Sequence, residues 1–203
     1  TSVVCTSPAG VGTNHAVVLD VAAQNTTLVA NGTTHNVSYA PPALFAMNDT
    51  LANATAGDAL LISGVHFGSV DESPVASVDG TACTSTTWVN DGLLVCVAPP
   101  GVGASKDVVV QVAGQTSDPL DFSYAPPILS QISPASGPHY AGGLIVTLHG
   151  YNFGTFDSLT VGASVGGQAC DSVTWVSNEV VQCGLPVGFG ASDTVLVTVD
   201  GQV

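Results

Sequence analysis

Basic side chains are almost absent from this sequence. Lys106 is the only Lys or Arg among 203 residues, whereas Asp and Glu number 15, and the formal net charge at pH 7 is −14. Binding to nucleic acid or to an anionic membrane requires several basic side chains that neutralise phosphate groups. The composition therefore argues against both kinds of partner.

Long apolar runs and ordinary surface charge are also lacking. No apolar run reaches the length that indicates a membrane-spanning helix, and no basic segment followed by an apolar stretch marks a signal peptide, so we interpret Thr1 as a processed or interior start. Charged residues make up only 8% of the chain, far below the usual share of a soluble surface. Ser and Thr supply 39 polar residues, and we expect covalent glycans to supply further hydration.

Catalytic and metal-binding patterns are missing as well. The sequence has neither a Gly-x-Ser-x-Gly elbow nor a CxxC pair, and its five histidines fall at unrelated positions, so we predict no enzyme activity, no metal site and no cofactor. Asp71 and Asp157 lie in similar loops, where carboxylates can bind calcium, but the EF-hand pattern is absent. The segment 101–106 resembles a phosphate-binding loop, yet no helix follows it, and we interpret it as a structural turn.

The most informative pattern is an internal repeat. One group of residues returns after 85 positions and another after 87, which indicates a linear array of small domains. The repeated residues are Tyr39-Ala40-Pro41-Pro42 with Tyr124-Ala125-Pro126-Pro127, and Cys83, Trp88 and Cys96 with Cys170, Trp175 and Cys183.

Short Val-, Thr-, Ile- and Leu-rich segments, broken by Gly, Pro, Asn and Asp, predict antiparallel β-sandwiches with almost no helix. We divide the chain into an arm at 1–40 that holds the last strands of a repeat, a complete domain at 41–125, and a domain at 126–203 that lacks its last strand. The predicted strands are Val3–Cys5, Ala16–Val21, His35–Tyr39, Ala59–Ser63, Val75–Val78, Thr87–Val89, Leu93–Val97, Lys106–Val112, Leu120–Tyr124, Leu144–Leu148, Leu159–Ser164, Val173–Val176, Val180–Cys183 and Thr194–Val199.

One motif carries a resemblance to a known family. Ile-x-Pro-x-x-Gly-Pro at 132–138 leads to Gly142-Gly143, then to the segment His149-Gly150-Tyr151-Asn152-Phe153-Gly154 and the cysteine pair. This pattern resembles the IPT/TIG family, over 128–203 and, with a divergent start, over 43–125. The resemblance implies tandem immunoglobulin-like domains of an extracellular protein, in a family whose members mostly bind proteins or act as spacers.

Cysteine spacing predicts the covalent framework. The spacing of Cys83 and Cys96 returns in Cys170 and Cys183, which favours one disulfide in each repeat and an oxidising, extracellular or cell-surface location. Cys5 aligns with the second cysteine of each pair, so its partner is expected at the same spacing upstream, before Thr1. Three alternatives remain for Cys5: missing upstream chain, a free thiol, or a bond to another chain.

Five Asn-x-Ser/Thr sequons lie within the segment 25–53 and predict N-linked glycans around the junction of the first two segments. The acceptor residues are Asn25, Asn31, Asn36, Asn48 and Asn53.

The incomplete third domain suggests how copies of the chain associate. A sandwich without its final strand leaves an edge at Thr194, Leu196 and Thr198, and an uncovered edge attracts another strand. Two fillings of this edge are possible. In the first, the chain continues past Val203 and supplies its own last strand. In the second, the segment at 35–39, which has the in-and-out pattern of the missing strand, serves a neighbouring copy, and we predict this one, with His35, Val37 and Tyr39 as the donor strand. Such head-to-tail pairing does not close and builds a filament.

These observations lead to a non-enzymatic structural protomer of an extracellular, glycosylated fibre or surface layer. The first alternative is a segment of a receptor or adhesin ectodomain that binds a protein ligand, and it predicts an exposed apolar patch. The second is an accessory module of a carbohydrate-active enzyme, and it predicts exposed aromatic side chains.

Overall fold

The computed structural model describes residues 2–21, 24–27, 29–30, 33–48, 51–55, 57–135, 143–155, 160–187 and 194–203. For residues 20–21, 24–27, 29–30, 33–34 and 51 it describes the backbone alone. Within these ranges every regular element is a β-strand, and no helix occurs. The predicted all-β class is therefore confirmed for the described residues. Among these residues no helix is long and apolar enough to cross a membrane.

The described chain forms two compact units. Unit 1 comprises Thr1–Asn48, Ala59–Val97 and Asp107–Leu120, and unit 2 comprises Asp49–Asp58, Ala98–Lys106 and Asp121–Val203. The predicted domain boundaries after residues 40 and 125 stay a prediction.

The N-terminal segment, 1–40, forms short antiparallel ribbons. β1 pairs with β6, β2 with β3, and β4 with β5. An isolated two-stranded ribbon is only marginally stable in water, because it buries little apolar surface. The strands are β1 (His15–Ala16), β2 (Val18–Val21), β3 (Gln24–Thr27), β4 (Val29–Ala30), β5 (Thr33–Thr34) and β6 (Asn36–Val37).

Ten strands follow between residues 43 and 124. They are β7 (Ala43–Met47), β8 (Leu51–Ala52), β9 (Ala59–Val65), β10 (Val75–Val78), β11 (Thr81–Ala82), β12 (Ser85–Asn90), β13 (Leu93–Val97), β14 (Lys106–Val112), β15 (Gln115–Thr116) and β16 (Leu120–Tyr124).

Unit 1 contains an antiparallel sheet in the order β12–β13–β9–β7. A second set of strands places β10 between β11 and β14, and β15 folds back on β14. Inward side chains alternate along β9 and β14, where Leu60, Ile62, Val108, Val110 and Val112 are almost completely buried. This two-residue alternation is the pattern of a sheet that covers a core on one face.

The remaining strands lie between residues 128 and 199, and all belong to unit 2. They are β17 (Ile128–Ser133), β18 (Ile145–Tyr151), β19 (Val161–Val165), β20 (Gln168–Ala169), β21 (Ser172–Ser177), β22 (Val180–Gly184) and β23 (Val195–Val199). They form two sheets, in the orders β17–β18–β22–β21 and β20–β19–β23. β16 contributes to unit 2 as well, where it pairs in parallel with β8.

The disulfides connect the two sheets in both repeats. Cys83 follows β11 and is bonded to Cys96 on β13, and Cys170 follows β20 and is bonded to Cys183 on β22. Cys96 and Cys183 are fully buried. The predicted disulfide framework is thus confirmed, and it indicates folding in an oxidising compartment.

Most strand predictions agree with the structure to within a few residues at either end. Val75–Val78, Leu93–Val97, Lys106–Val112 and Leu120–Tyr124 are confirmed with identical bounds. The predicted strand Val3–Cys5 is wrong, because residues 3–5 pair with no strand in the part of the chain that the structure describes. The aligned strand β13, in contrast, is hydrogen-bonded on both sides, to β12 and β9. Val3–Cys5 has the composition of a strand, but without a neighbouring strand among the described residues it does not become part of a sheet.

The loop at 101–106 is a turn, as predicted. Gly103 has φ +95° and Ser105 has φ +53°, and the aligned residues Gly12 and Asn14 have φ +90° and +60°. A strand begins at Lys106, so the loop has no helix N-terminus with which to bind an anion.

We predict that Gly150→Ala destabilises the protein, whereas Gly162→Ala does not. A Cβ at Gly150 in β18 would collide with the Ile128 carbonyl oxygen on β17 and with the Phe153 ring, whereas at Gly162 in β19 it would meet only Thr198 Cβ, at 3.8 Å. Overpacking of this kind costs about 1–3 kcal/mol. Urea unfolding of the two variants measures the difference, and equal midpoints would contradict the packing of β17 on β18.

Candidate functional site: the N-terminal segment, the free edge and the repeat junctions

Tyr39, the predicted donor residue, is held within its own segment. Its hydroxyl donates a hydrogen bond to the Pro8 carbonyl oxygen at 2.9 Å, and its backbone N–H donates to the Gly12 carbonyl oxygen at 2.9 Å. The His15 ring meets the Tyr39 ring edge-on, with centroids 5.3 Å apart. The predicted donor strand His35–Tyr39 is shorter in the structure, since β6 covers only Asn36–Val37, and it pairs with β1.

The same arrangement returns at Tyr124 in unit 2. The Tyr124 hydroxyl donates to the Pro99 carbonyl oxygen at 3.0 Å, and its backbone N–H donates to the Gly103 carbonyl oxygen at 2.9 Å. In both places the tyrosine ring lies against a glycine, Gly10 or Gly101, where no side chain fits. The N-terminal segment therefore folds as the closing part of a repeat.

This closing part lacks the cover that its counterpart has. Val17, Leu19 and Val37 are 37%, 41% and 46% exposed. The residues aligned with them are completely buried: Val108, Val110 and Phe122. Val37 and Tyr39 alternate with polar residues along the chain, which is the pattern of side chains that point into a core. In the structure Val37 is exposed instead. We call Val17, Leu19 and Val37 the open core face.

Within the described part of the third repeat, β23 pairs with no strand other than β19. The sequence-based assignment of the backbone groups on its other side is wrong. Gly166 N–H donates to the Thr194 carbonyl oxygen, and Asp200 N–H donates to the Thr160 carbonyl oxygen. Along this antiparallel pair, the backbone groups of Thr194, Leu196 and Thr198 therefore face β19. The groups that face away from β19 belong to residues 195, 197 and 199. Those of Val199 bond with Gln202, so the backbone groups that an added strand would meet belong to Val195 and Val197.

Cys5 is an exposed thiol outside the two disulfides. Its aligned residues, Cys96 and Cys183, are buried in disulfides. The pairing of Cys5 with upstream chain or with another chain stays a prediction.

A glutamine binds the linker of the preceding repeat at both junctions. Gln115 donates from Nε2 to the Tyr39 carbonyl oxygen at 3.0 Å and accepts from Gly12 N–H at 2.9 Å. Gln202, the equivalent residue of the third repeat, donates to the Tyr124 carbonyl oxygen at 3.0 Å. The two junctions therefore share one contact, a glutamine side chain that donates to the carbonyl oxygen of the linker tyrosine.

A second side chain binds the next part of the same linker. A His66 ring nitrogen, Nδ1, lies 3.0 Å from the Pro41 carbonyl oxygen, and Asn152 Nδ2 donates to the Pro126 carbonyl oxygen at 3.1 Å. Both residues have positive φ, +64° and +62°. In both repeats, two side chains from the following domain thus hold the Tyr-Ala-Pro-Pro linker by its carbonyl groups. We call these four residues, His66, Gln115, Asn152 and Gln202, the linker clamp.

The single lysine forms an ion pair at the second junction. Lys106 Nζ lies 3.1 Å from Asp200 Oδ2. Because the Asp200 side chain is 41% exposed, the pair contributes little to stability. It nevertheless uses the chain's only basic side chain in a contact between the turn at 101–106 and the third repeat.

The sequons that the structure describes are on the surface. Asn36, Asn48 and Asn53 are exposed, and Asn25 lies in β3, of which the backbone is described. Asn31 lies outside the described residues. Asn48 accepts a hydrogen bond from Leu61 N–H at 2.6 Å, and Asn53 bonds with Asp58.

Among the residues that the structure describes, no three His, Cys, Asp or Glu side chains are grouped to hold a metal ion. Asp71 accepts a hydrogen bond from Ser73 N–H at 2.8 Å, within its own loop. Asp157 lies outside the described residues, and calcium binding stays a prediction. Trp175 is partly buried against the core and donates to the Phe153 carbonyl oxygen at 2.9 Å.

Comparison with known protein families matches the IPT/TIG domain to residues 50–124 and again to residues 127–203. The two matches cover more than half of the chain. The chain belongs to the IPT/TIG family. The open core face of its N-terminal segment thus precedes two IPT/TIG domains.

Two of the solved structures that are similar to this chain come from extracellular or surface proteins. Plexin A4 extracellular region is 19% identical over 88% of this chain, with a TM-score of 0.39. Surface glycan-binding protein PbSGBP-B from Prevotella bryantii is 16% identical over 98%, with a TM-score of 0.49. This IPT/TIG chain spans 20% and 41% of those two proteins. At such identities the similarity concerns the fold alone.

Sequence reasoning did not identify the linker clamp. Gln115 and Gln202 follow the glycines of Ala113-Gly114-Gln115 and Asp200-Gly201-Gln202, one repeat interval apart. Their recurrence at the repeat interval was the signal in the sequence that could have identified them. A glutamine after a turn glycine looks like an ordinary hairpin residue, because its partner is a carbonyl group 76 or 78 positions away.

We predict that Gln202→Glu opens the linker at Tyr124 and that Gln115→Glu opens it at Tyr39. An ionised carboxylate cannot donate, and loss of one hydrogen bond of about 1 kcal/mol raises the open population about five-fold. Chymotrypsin cleavage after each tyrosine, followed by mass spectrometry, measures this. Each variant is the control for the other, and equal rates at both tyrosines in both variants would refute the clamp.

Proposed function

We propose that this IPT/TIG chain is a non-enzymatic structural protomer of an extracellular, glycosylated fibre or surface layer. Its copies assemble head to tail: the N-terminal segment of one copy supplies β6 to the acceptor edge of β23 in the next. The observation that carries the proposal is the open core face, whose aligned residues are fully buried in the complete repeat.

The energetics favour covering that face. Full burial of a Val side chain is worth about 1.5–3 kcal/mol, and Val37, which lies on the strand that would be exchanged, is 46% exposed. The acceptor side offers the backbone groups of Val195 and Val197, which face away from β19. A strand that binds there gains hydrogen bonds and apolar burial together, as in β-strand addition.

In the structure β1 is hydrogen-bonded to one edge of β6. If β6 uses that edge to bind β23, it must first leave β1. The present pairing of β6 with β1 joins only two residue pairs, His15 with Val37 and Ala16 with Asn36. Few hydrogen bonds are therefore lost when β6 leaves β1. Tyr39 stays anchored through Pro8 and Gly12, so the exchange is expected to be confined to residues 35–38.

The chemistry of the surface fits an extracellular role. Two disulfides indicate an oxidising compartment. The net charge of −14 keeps copies apart by repulsion, so assembly is expected to strengthen as salt or divalent cations screen it.

We predict that Val195→Pro abolishes assembly, whereas Val195→Thr retains it. Proline removes the N–H that faces the free edge, at the first residue of β23 where proline is tolerated. Threonine is β-branched like valine and keeps that N–H. Sedimentation velocity and negative-stain microscopy of the secreted protein measure filaments, and thermal unfolding confirms that both variants are folded.

Filaments that persist with Val195→Pro would overturn strand addition at β23. A parent protein that stays monomeric at all salt concentrations would overturn the fibre function itself.

A second function is favoured by one observation. Phe45 and Leu61 are 63% and 37% exposed on one sheet of unit 1, as expected for a receptor or adhesin ectodomain segment that binds a protein ligand. A monomer that binds its ligand through Phe45 would support this alternative.

A further inference from the structure

Apolar side chains form a patch on the outer side of the sheet β12–β13–β9–β7. Leu61 on β9 is paired with Val95 on β13, and both point away from the core, since their neighbours Leu60, Ile62, Leu94 and Cys96 are fully buried. The register of β7 shifts between Leu44 and Ala46, which marks a bulge at Phe45. Phe45 and Ala46 are both exposed. We call Phe45, Ala46, Leu61 and Val95 the outer face.

The third repeat provides an internal comparison, because its equivalent sheet has the same register and the same bulge. β17 shifts between Leu129 and Gln131, and Thr147 pairs with Gln182. The residues equivalent to the outer face are all polar: Ser130, Gln131, Thr147 and Gln182. Ser130 even donates a hydrogen bond to the His149 carbonyl oxygen. The fold therefore tolerates polar residues at all four positions, and the apolar ones in unit 1 need another explanation.

The sequon of Asn48 lies at the edge of the outer face in unit 1. The equivalent sheet of the third repeat, whose residues are polar, has no sequon at that place. Asn48 follows β7 and bonds with Leu61 twice: Asn48 N–H donates to the Leu61 carbonyl oxygen at 3.2 Å, and Leu61 N–H donates to Asn48 Oδ1 at 2.6 Å. The equivalent residue of the third repeat, Ser133, precedes Pro134 and belongs to no sequon.

The hydrogen bond of Asn48 directs its side chain along Leu61. It uses Oδ1, so the amide nitrogen Nδ2, the atom that carries an N-linked sugar, takes no part in it. Asn48 is exposed. A sugar on Nδ2 thus begins beside Leu61, at the border of the outer face. Asn53 differs, because its Nδ2 lies 3.1 Å from Asp58 Oδ2.

We propose that an N-linked glycan on Asn48 folds over the outer face and covers Phe45, Leu61 and Val95. The C–H side of a pyranose ring is apolar and packs on aromatic and aliphatic side chains, while its hydroxyl groups stay in water. The covered face is then hydrated by sugar instead of by charged side chains, of which this chain has few. The inference rests on the glycosylation in the proposed function but not on filament assembly.

The test uses the protein secreted from a eukaryotic host that attaches N-glycans. Thr50→Ala removes the sequon of Asn48 and keeps Asn48 itself with its bond to Leu61. Thr55→Ala removes the sequon of Asn53 and is the matched control. Peptide mass spectrometry measures occupancy at each site, and the fluorescence of bis-ANS, a dye that binds exposed apolar surface, measures how well the face is covered.

We expect Asn48 to be occupied, and we expect Thr50→Ala to raise dye fluorescence several-fold above Thr55→Ala. Adding Phe45→Ser and Leu61→Thr, the residues of the third repeat, to Thr50→Ala should remove that rise. All variants keep the open core face, so the dye that binds there adds the same fluorescence to each of them and does not affect the comparison.

Three results would overturn the inference. The first is an unoccupied Asn48, and the second is an occupied Asn48 whose loss leaves the fluorescence at the level of Thr55→Ala. The third is a protein ligand that binds the glycosylated parent chain through Phe45, which would assign the face to docking. A protein that forms no filaments but passes the dye test would refute the proposed assembly and leave this inference standing.

Discussion

Side chains that alternate inward along a strand form an apolar face, and the sheet is stable only where something keeps that face from water. In both IPT/TIG domains the opposing sheet does so, and a disulfide joins the two sheets. Within the described residues of the N-terminal segment, no second sheet covers the corresponding side chains Val17, Leu19 and Val37, which are exposed. The structure of each repeat and its proposed association both follow from this requirement.

The junctions obey a different rule. Gln115, Gln202, His66 and Asn152 bind carbonyl oxygens of the linker rather than side chains. Such bonds depend on the path of the backbone, which the two prolines of Tyr-Ala-Pro-Pro restrict. The same contacts recur in both units, so each linker is held in the same way by the repeat that follows it.

Repeat arithmetic and cysteine spacing predicted the fold and both disulfides, because these features depend on intervals within the sequence. The sequence placed the outward backbone groups of β23 one residue away from their true positions. The direction of each backbone group depends on the register of β23 with β19, which the pattern of side chains does not reveal. Val3–Cys5 has strand composition but no neighbouring strand among the described residues. The linker clamp joins residues that are far apart in the sequence, and the polar character of a single glutamine gives no sign of its partner. The exposed position of Phe45 depends on a bulge that the sequence does not mark.

The ion pair of Lys106 with Asp200 has a consequence for survival outside the cell. Trypsin-like proteases cleave after Lys or Arg, and this chain contains one such residue. That residue begins β14, and its ammonium group is bound to a carboxylate. An enzyme that must insert the lysine into its specificity pocket has to break this contact and release the start of the strand. A trypsin-like protease therefore meets one cleavable position in this sequence, at the start of β14.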